Sequence, residues 1–185
     1  MNWLEAIKNY TPYNEQEAKN KELTLKYSNI FNDMLTRENE LVHMTSSAFI
    51  INKNRDKTLM INHNIYNSWA WTGGHADGEE DLLQVALREA REETGVSQLR
   101  PVLEHIFSLD IIPVLGHVKN GKYVAPHLHI SAAYLIEADE DAPLTIKPDE
   151  NSGVMWIPLE EINAWSNEAH MKKIYSKIVA KIKEL

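Results

Sequence analysis

The 185-residue chain has no cysteine, which excludes disulfides, thiolate metal sites and cysteine nucleophiles together and fits a reducing compartment. No apolar run approaches the ~20 residues that a membrane helix requires. The opening residues, Met1-Asn2-Trp3-Leu4-Glu5, lack the basic start and apolar stretch of a signal peptide. Together these absences predict a cytoplasmic protein with no membrane partner. Positive charge is scarce: 19 Lys and Arg against 27 Asp and Glu leave a formal charge of −8. That argues against a nucleic-acid surface. It leaves small phosphorylated substrates open, because a divalent cation can mediate between acidic side chains and phosphate. There is no internal repeat and no low-complexity linker. What is present, 43% hydrophobic and 25% charged residues, is the make-up of a globular protein. A domain of ~150 residues buries roughly two thirds of its unfolded surface and needs no staple to fold.

Hydrophobic periodicity predicts helices first. Leu4 and Ile7 have helix spacing, Thr11-Pro12 interrupts the pattern, and a second helix is expected from Glu15 to Leu35. Its apolar side would comprise Leu23, Leu25, Tyr27, Ile30, Phe31 and Leu35. The expected organisation is a helical extension over 1–40 and a main domain over 41–185. In the main domain, Met44 to Ile51 and Thr58 to Ile61 read as paired strands, and Trp69 to Thr72 as an extended piece entering Gly73-Gly74. Asp81 to Thr94 reads as a strong helix, with a capping box at Asp81 and Gln84 and a stop at Gly95. Further strands are expected at Val102 to Leu109, Ile111 to Val118, Tyr123 to Ile136, Leu144 to Ile146 and Val154 to Ile157, with a hairpin turn at Asn120-Gly121. Helices are expected to start at Pro158 and to run from Glu168 to Leu185. The order implies an α/β fold, a mixed sheet with helices on both faces.

The segment Gly74 to Val96, GHADGEEDLLQVALREAREETGV, carries the chemistry. On a helix Glu89, Glu92 and Glu93 fall at i, i+3 and i+4 and share one face. Leu82, Leu83, Ala86 and Ala90 also share a face. Glu89 follows Leu82 by seven residues and Glu93 follows Ala86 by seven, so the inward stripe changes from hydrocarbon to carboxylate along one helix. A solvated, salt-bridged helix face is the ordinary explanation of a Glu/Arg run. Here the azimuth overlap and the preceding glycines point instead to carboxylates that repel one another unless a cation compensates. Mg²⁺, or Mn²⁺ in its place, prefers such oxygen ligands and is commonly shared with substrate phosphates.

The same segment resembles the box of the Nudix hydrolase family, the MutT-like enzymes. Gly74, Glu80, Arg88-Glu89, Glu92-Glu93, Gly95 and Val96 stand at the required distances, with Ala90 where a larger aliphatic is usual. Asn67 to Gly74 resembles the strand before the box, and Trp156-Ile157-Pro158-Leu159-Glu160-Glu161 the stretch after the last strand. The resemblance covers roughly Thr45 to Trp165. It implies a Nudix-type α/β/α sandwich, with the N-terminal helical segment as an addition.

The resemblance also implies roles. Glu89, Glu92 and Glu93, with the Gly73 carbonyl, are the metal ligands. Glu92, Glu93 and Glu150 are the catalytic candidates, one of them orienting or deprotonating a water, with Asp149 the alternative to Glu150. Gly74, Glu80, Arg88 and Gly95 are structural, Glu80 and Arg88 forming an ion pair that braces the loop. The implied reaction is metal-activated water attack on phosphorus. It cleaves the pyrophosphate bond of a nucleoside diphosphate linked to another moiety. The substrate is a small nucleotide-like molecule, and a homodimer stays open. His127 and His129 are two apart on an expected strand and face the same side. With His75 and Trp71 they are substrate-binding candidates, with Tyr66 and Trp69 as further stacking aromatics. Zinc ligation is the alternative for the histidines, His117 included. Two other functions compete. One is an isopentenyl diphosphate isomerase-like activity, whose chemistry uses the cysteine this chain lacks. The other is a non-catalytic nucleotide-binding regulatory domain, in which box glutamates are often lost; here all are present.

Overall fold

The computed structural model describes residues 1–119 and 121–185. Two helices come first, α1 (Trp3–Asn9) and α2 (Glu15–Ser28), followed by β1 (Val42–Ile51), β2 (Lys57–His63), β3 (Ser68–Ala70) and β4 (Thr72–His75). After α3 (Leu82–Thr94) come β5 (Leu99–Pro101), β6 (Ser108–Val114), β7 (His117–Lys119), β8 (Lys122–Val124), β9 (His127–Ala138) and β10 (Asn151–Pro158). The chain ends with α4 (Ile162–Trp165) and α5 (Ala169–Lys183).

One mixed sheet holds the molecule together. Its spine runs β10-β2-β1-β9-β5, with β3 on β2, β4 on β1 and β6 on β9. β1 and β9 pair parallel and in register from Val42↔Leu128 to Ile51↔Glu137, while the other pairings are antiparallel. β1 is buried at every position, as a strand covered on both faces must be.

Side chains alternate across β1 and β9, and the two faces differ. Met44, Ala48, Ile50, Ile130, Ala132 and Ile136 share a core with Leu82, Ala86 and Ala90 of α3. Phe49, Ile51, Ala133 and Leu135, on the opposite face, pack with Met171, Tyr175, Ile178 and Ile182 of α5. This is the expected sandwich, helices on both faces of a mixed sheet. The α5 face changes character along its length. Toward the start of β1 and β9 it carries His43, Thr45, Ser47, His129 and Ser131 in place of hydrocarbon.

The N-terminal helices are built into this core. Ile7, Tyr10 and Met34 belong to the same buried cluster as α3. Glu17 of α2 is fully buried and meets Lys177 of α5 at 2.9 Å and Lys181 at 3.4 Å. It also accepts from the Tyr10 hydroxyl, the Tyr13 N–H and Ser108 Oγ. Lys177 in turn pairs with Asp110 at 2.7 Å. The ammoniums and carboxylates thus compensate one another out of water.

Several expected boundaries shift. Helix α2 stops at Ser28 instead of Leu35, because Ser28 Oγ and Asn29 Nδ2 both donate to the Leu25 carbonyl and consume the last turn. Its fully buried positions are Glu17 and Thr24, and Ile30 is exposed. Asp110 does not divide two strands. It lies inside β6, paired with Ser131, its charge met by Lys177 and by Ser108 Oγ at 2.6 Å. The stretch 102–107 bows away from the sheet between two anchors, Val102 N–H to the Leu135 carbonyl and Phe107 N–H to the Ala133 carbonyl. The strand expected from Tyr123 to Ile136 splits into β8 and β9 around Pro126, which has no N–H for the ladder. Leu144 to Ile146 is irregular, with the Thr145 N–H bonded to the Thr94 carbonyl at the end of α3. Residues 158–161 form a turn ahead of α4. β7 and β8 pair antiparallel around the expected hairpin turn, where Gly121 has φ +75° and Asn120 lies outside the described residues.

Candidate active site

A cleft of about 420 Å³ opens where the α5 face of the sheet turns polar, and Thr45, Ser47, His129 and Ser131 form its floor. Helix α3 delivers the glutamates to it. Asp81 caps the first turn by accepting from the Gln84 N–H, and Ser46 Oγ on β1 donates to the Leu82 carbonyl. The capping box is not reciprocal, because Glu79 takes the Asp81 N–H. Gly95 ends the helix in the left-handed region, at φ +76°. The buried stripe Leu82, Val85, Ala86, Ala90 continues into Glu93.

Glu93 is 2% exposed, and its Oε2 accepts from the Gly73 N–H of β4 at 2.9 Å. Its pKa is pushed up to about 8, mainly by burial; the Gly73 N–H opposes this and the charges of Glu150 and Glu89 add to it. Glu89 is raised too, again mainly by burial, with Arg88 opposing. Glu92 is more open and meets Lys147 at 3.0 Å. Lys147 also meets Glu150 at 3.1 Å, so one ammonium bridges the helix to the loop before β10. Burial works against the Lys147 charge, but the bonds to Glu150 and Glu92 outweigh it and hold its pKa above the usual lysine value.

The two glycines allow close approach, Gly73 to the backbone of β1 and Gly74 to the Glu89 side chain. A Cβ on Gly74 would collide with the Glu89 carboxyl group, and one on Gly73 would sit 2.7 Å from the Ser46 carbonyl oxygen. Gly73, Gly74, Glu89, Glu92, Glu93, Asp149 and Glu150 all line the cleft, with His75, His129, Tyr66 and Trp71. Two of the expected residues do not act as anticipated. Glu80 lies outside the cleft lining and accepts from Asn2 at 2.7 Å, while Arg88 pairs with its own neighbour Glu89 at 3.0 Å. The anticipated Glu80–Arg88 brace is therefore replaced by contacts to the N-terminal segment and along the helix. Trp71 is mostly buried, its ring edge-on to Tyr175 at 5.6 Å. Trp69 packs edge-on to Trp165 at 6.0 Å.

Lys147 and Asn151 were not singled out from the sequence. Asn151 is fully buried and donates from Nδ2 to the Glu93 carbonyl at 3.0 Å, tying the end of α3 to the Glu150 loop. The only available signal for Lys147 was its place three residues before Glu150.

His75 and His129 reach the cleft, and His43 and His127 lie against them outside its lining. His43 on β1 is the register partner of His129 on β9, and His75 ends β4 opposite Thr45. Ring centroids of His43, His75, His127 and His129 lie 4.9 to 5.1 Å apart in the recorded pairs. Burial lowers the pKa of both His43 and His129, and His129 is driven far down with the help of the neighbouring imidazoles. His117 lies at the β7–β8 hairpin, facing the Leu115 carbonyl through Nδ1.

Sequence comparison matches residues 42–178 to a family model described as the NUDIX domain. No curated protein matches by sequence. Among solved structures, the chain is similar to a C. elegans Ap4A hydrolase, at 19% identity and TM-score 0.54, over 77% of this chain and 98% of that one. It is also similar to a NUDIX-family hydrolase from Clostridium perfringens, at 21% identity and TM-score 0.52, over 75% and 96%. The E. coli dihydroneopterin triphosphate pyrophosphohydrolase gives 14% identity and TM-score 0.56, over 74% and 94%. At these identities the likeness is one of fold.

Proposed function

The chain belongs to the Nudix family, and on that premise we propose that it is a Mg²⁺-dependent hydrolase of a phosphoric anhydride. Its substrate on this reading is a small nucleoside diphosphate linked to another moiety. The observation that carries the proposal is the convergence of Glu89, Glu92 and Glu93 on one cleft, with Glu93 buried and its pKa lifted to about 8. Carboxylates crowded out of water are short of positive charge, and their oxygens suit a hard divalent cation. Glu89, Glu92, Glu93 and the Gly73 carbonyl would hold Mg²⁺, or Mn²⁺ in its place. When bound, the ion polarises phosphoryl oxygens and stabilises the leaving oxygen.

The protein's own groups do the rest. A carboxylate among Glu92, Glu93 and Glu150 takes the proton of an attacking water. The water oxygen forms a bond to phosphorus, the bridging P–O bond breaks, and two phosphate-containing products leave. Lys147, poised between Glu92 and Glu150, offsets phosphate charge at the cleft wall. The names of two structural relatives, an Ap4A hydrolase and a dihydroneopterin triphosphate pyrophosphohydrolase, support a substrate of this class. The division into a 1–40 extension and a 41–185 hydrolase domain, a cytoplasmic location and a homodimer belong to the same reading.

The test is phosphate release, coupled to a phosphatase, across a panel of nucleotides with Mg²⁺. Turnover that disappears without metal and in Glu92→Gln and Glu93→Gln supports the hydrolase. Nucleotide binding without turnover of any substrate would instead support the regulatory domain.

A further inference from the structure

None of the steps above uses the imidazoles clustered at and behind the cleft floor. Three strands bring His43, His75 and His129 together, and one ligand-capable atom from each lies within 4.8 Å of the others. A buried imidazole ordinarily satisfies both nitrogens. His43 is 4% exposed, yet its Nε2 has no hydrogen-bond partner among the described residues. Its Nδ1 lies 2.8 Å from the Asn39 carbonyl, an oxygen that can only accept. The ring therefore carries its proton on Nδ1 and a bare lone pair on Nε2. That is how an outer hydrogen bond fixes the tautomer and orientation of a metal-ligating histidine.

His127 sits beside them with both nitrogens engaged: its Nδ1 faces the Ala125 carbonyl at 2.8 Å, so its Nε2 accepts from Nε2–H of His129 at 3.1 Å, which leaves the lone pair of His129 on Nδ1. A substrate hydroxyl could satisfy one lone pair. Three imidazoles held this close suit a species that accepts several electron pairs at once.

We propose that His43, His75 and His129 form a second metal site, for a borderline divalent cation of the Zn²⁺ class. Nitrogens around tetrahedral zinc, with bonds of about 2.1 Å, lie roughly 3.4 Å apart. From a separation of up to 4.8 Å, the ligand atoms need to close by as much as roughly 1.4 Å to reach that spacing. His75 and His129 are the half-buried members and line the cleft, so the fourth position opens to it. A three-histidine site with one open position is the composition of zinc centres that bind water or a substrate oxygen. It differs in chemistry from the glutamate site, because imidazole selects Zn²⁺ and its neighbours while carboxylate oxygen suits Mg²⁺.

The full chain, stripped of metal and then given excess Mg²⁺, is titrated with Co²⁺ and followed by visible absorption. One equivalent of Co²⁺ with the intense band of four-coordinate geometry, displaced by Zn²⁺, is the expected result. His129→Gln and His75→Asn each weaken it by more than about tenfold, with thermal denaturation showing both variants folded. Glu92→Gln and Glu93→Gln leave it unchanged, which separates this site from the hydrolase reading. Absence of tight Co²⁺ binding, binding indifferent to the histidine variants, or binding lost with the glutamates would overturn the proposal.

Discussion

Glu93 shows how one side chain can be unfavourable for folding and useful to a site. Its pKa in the folded protein, about 8, lies above the ordinary 4.5. Between those values the folded state holds a proton that the unfolded state has lost. Stability therefore falls as pH rises through this window, and the loss is complete above about 8. Glu93→Gln removes the penalty while leaving an oxygen to accept from Gly73. In urea denaturation with EDTA at pH 9, the variant should gain on the order of 1–3 kcal/mol over the parent, with parity near pH 4. Its turnover should fall by about a hundredfold or more. The two glycines separate space from function. A Cβ on Gly74 meets only the tip of Glu89, a flexible end. Gly74→Ala should therefore cost less than about 1 kcal/mol, yet displace a carboxylate and depress activity at least about tenfold. A Cβ on Gly73 meets backbone of β1 on the facing strand. Gly73→Ala should cost about 2–3 kcal/mol, since a strand must move. Denaturation and turnover measured on both variants check the contrast.

At the level of elements, the contact of α2 with α5 depends on buried charge. Lys177 lies between Glu17 and Asp110, and Lys181 also reaches Glu17. Removing one partner strands the others out of water, so Glu17→Gln should destabilise by about 3–5 kcal/mol at neutral pH. Burial alone would raise the Glu17 pKa. The bonds from Tyr10 and Tyr13 and the charge of Lys177 outweigh it and hold the value below the usual glutamate range. The stabilisation is thus fully present above the unfolded value and is lost as pH falls through the lower folded one. The parent should lose stability on acidification in that window, and Glu17→Gln should show a flatter acid limb in denaturant melts from pH 7 to pH 3. The sequence patterning of α2 suggested an apolar helix side. Leu25, Tyr27, Phe31 and Leu35 of that side do pack, partly buried, against the core, but the fully buried positions of the helix are Glu17 and Thr24, and Glu17 meets polar and charged partners on β6 and α5.

For the whole molecule, the first forty residues and the family fold share one core. Ile7, Tyr10 and Met34 pack with Leu82, Ala86 and Ala90, and the Met44 N–H bonds to the Met34 carbonyl at 2.7 Å. Each such side chain is worth about 1.5–3 kcal/mol when buried. Deleting residues 1–40 should therefore cost about 5 kcal/mol or more, seen as a collapsed melting temperature or insoluble protein; an unchanged melt would mark the segment as detachable. The family, the α3 helix with its cap and stop, and the continuation of its buried stripe into Glu93 were all legible in the sequence, because helix periodicity and the box spacing are local properties. So were β1 and β2, read from runs of apolar and small residues, and the body of β9, read as the return from the Asn120-Gly121 turn. Tertiary structure alone decided the rest. It ran β6 through Asp110 because Lys177 arrives from a helix 67 residues away, gave Arg88 to Glu89 and Glu80 to Asn2, and brought Lys147 and Asn151 to the end of α3. It also set His43 opposite His129 through a parallel pairing between strands more than eighty residues apart. No local pattern encodes the register of such a pairing, and that register is what gathers the histidines.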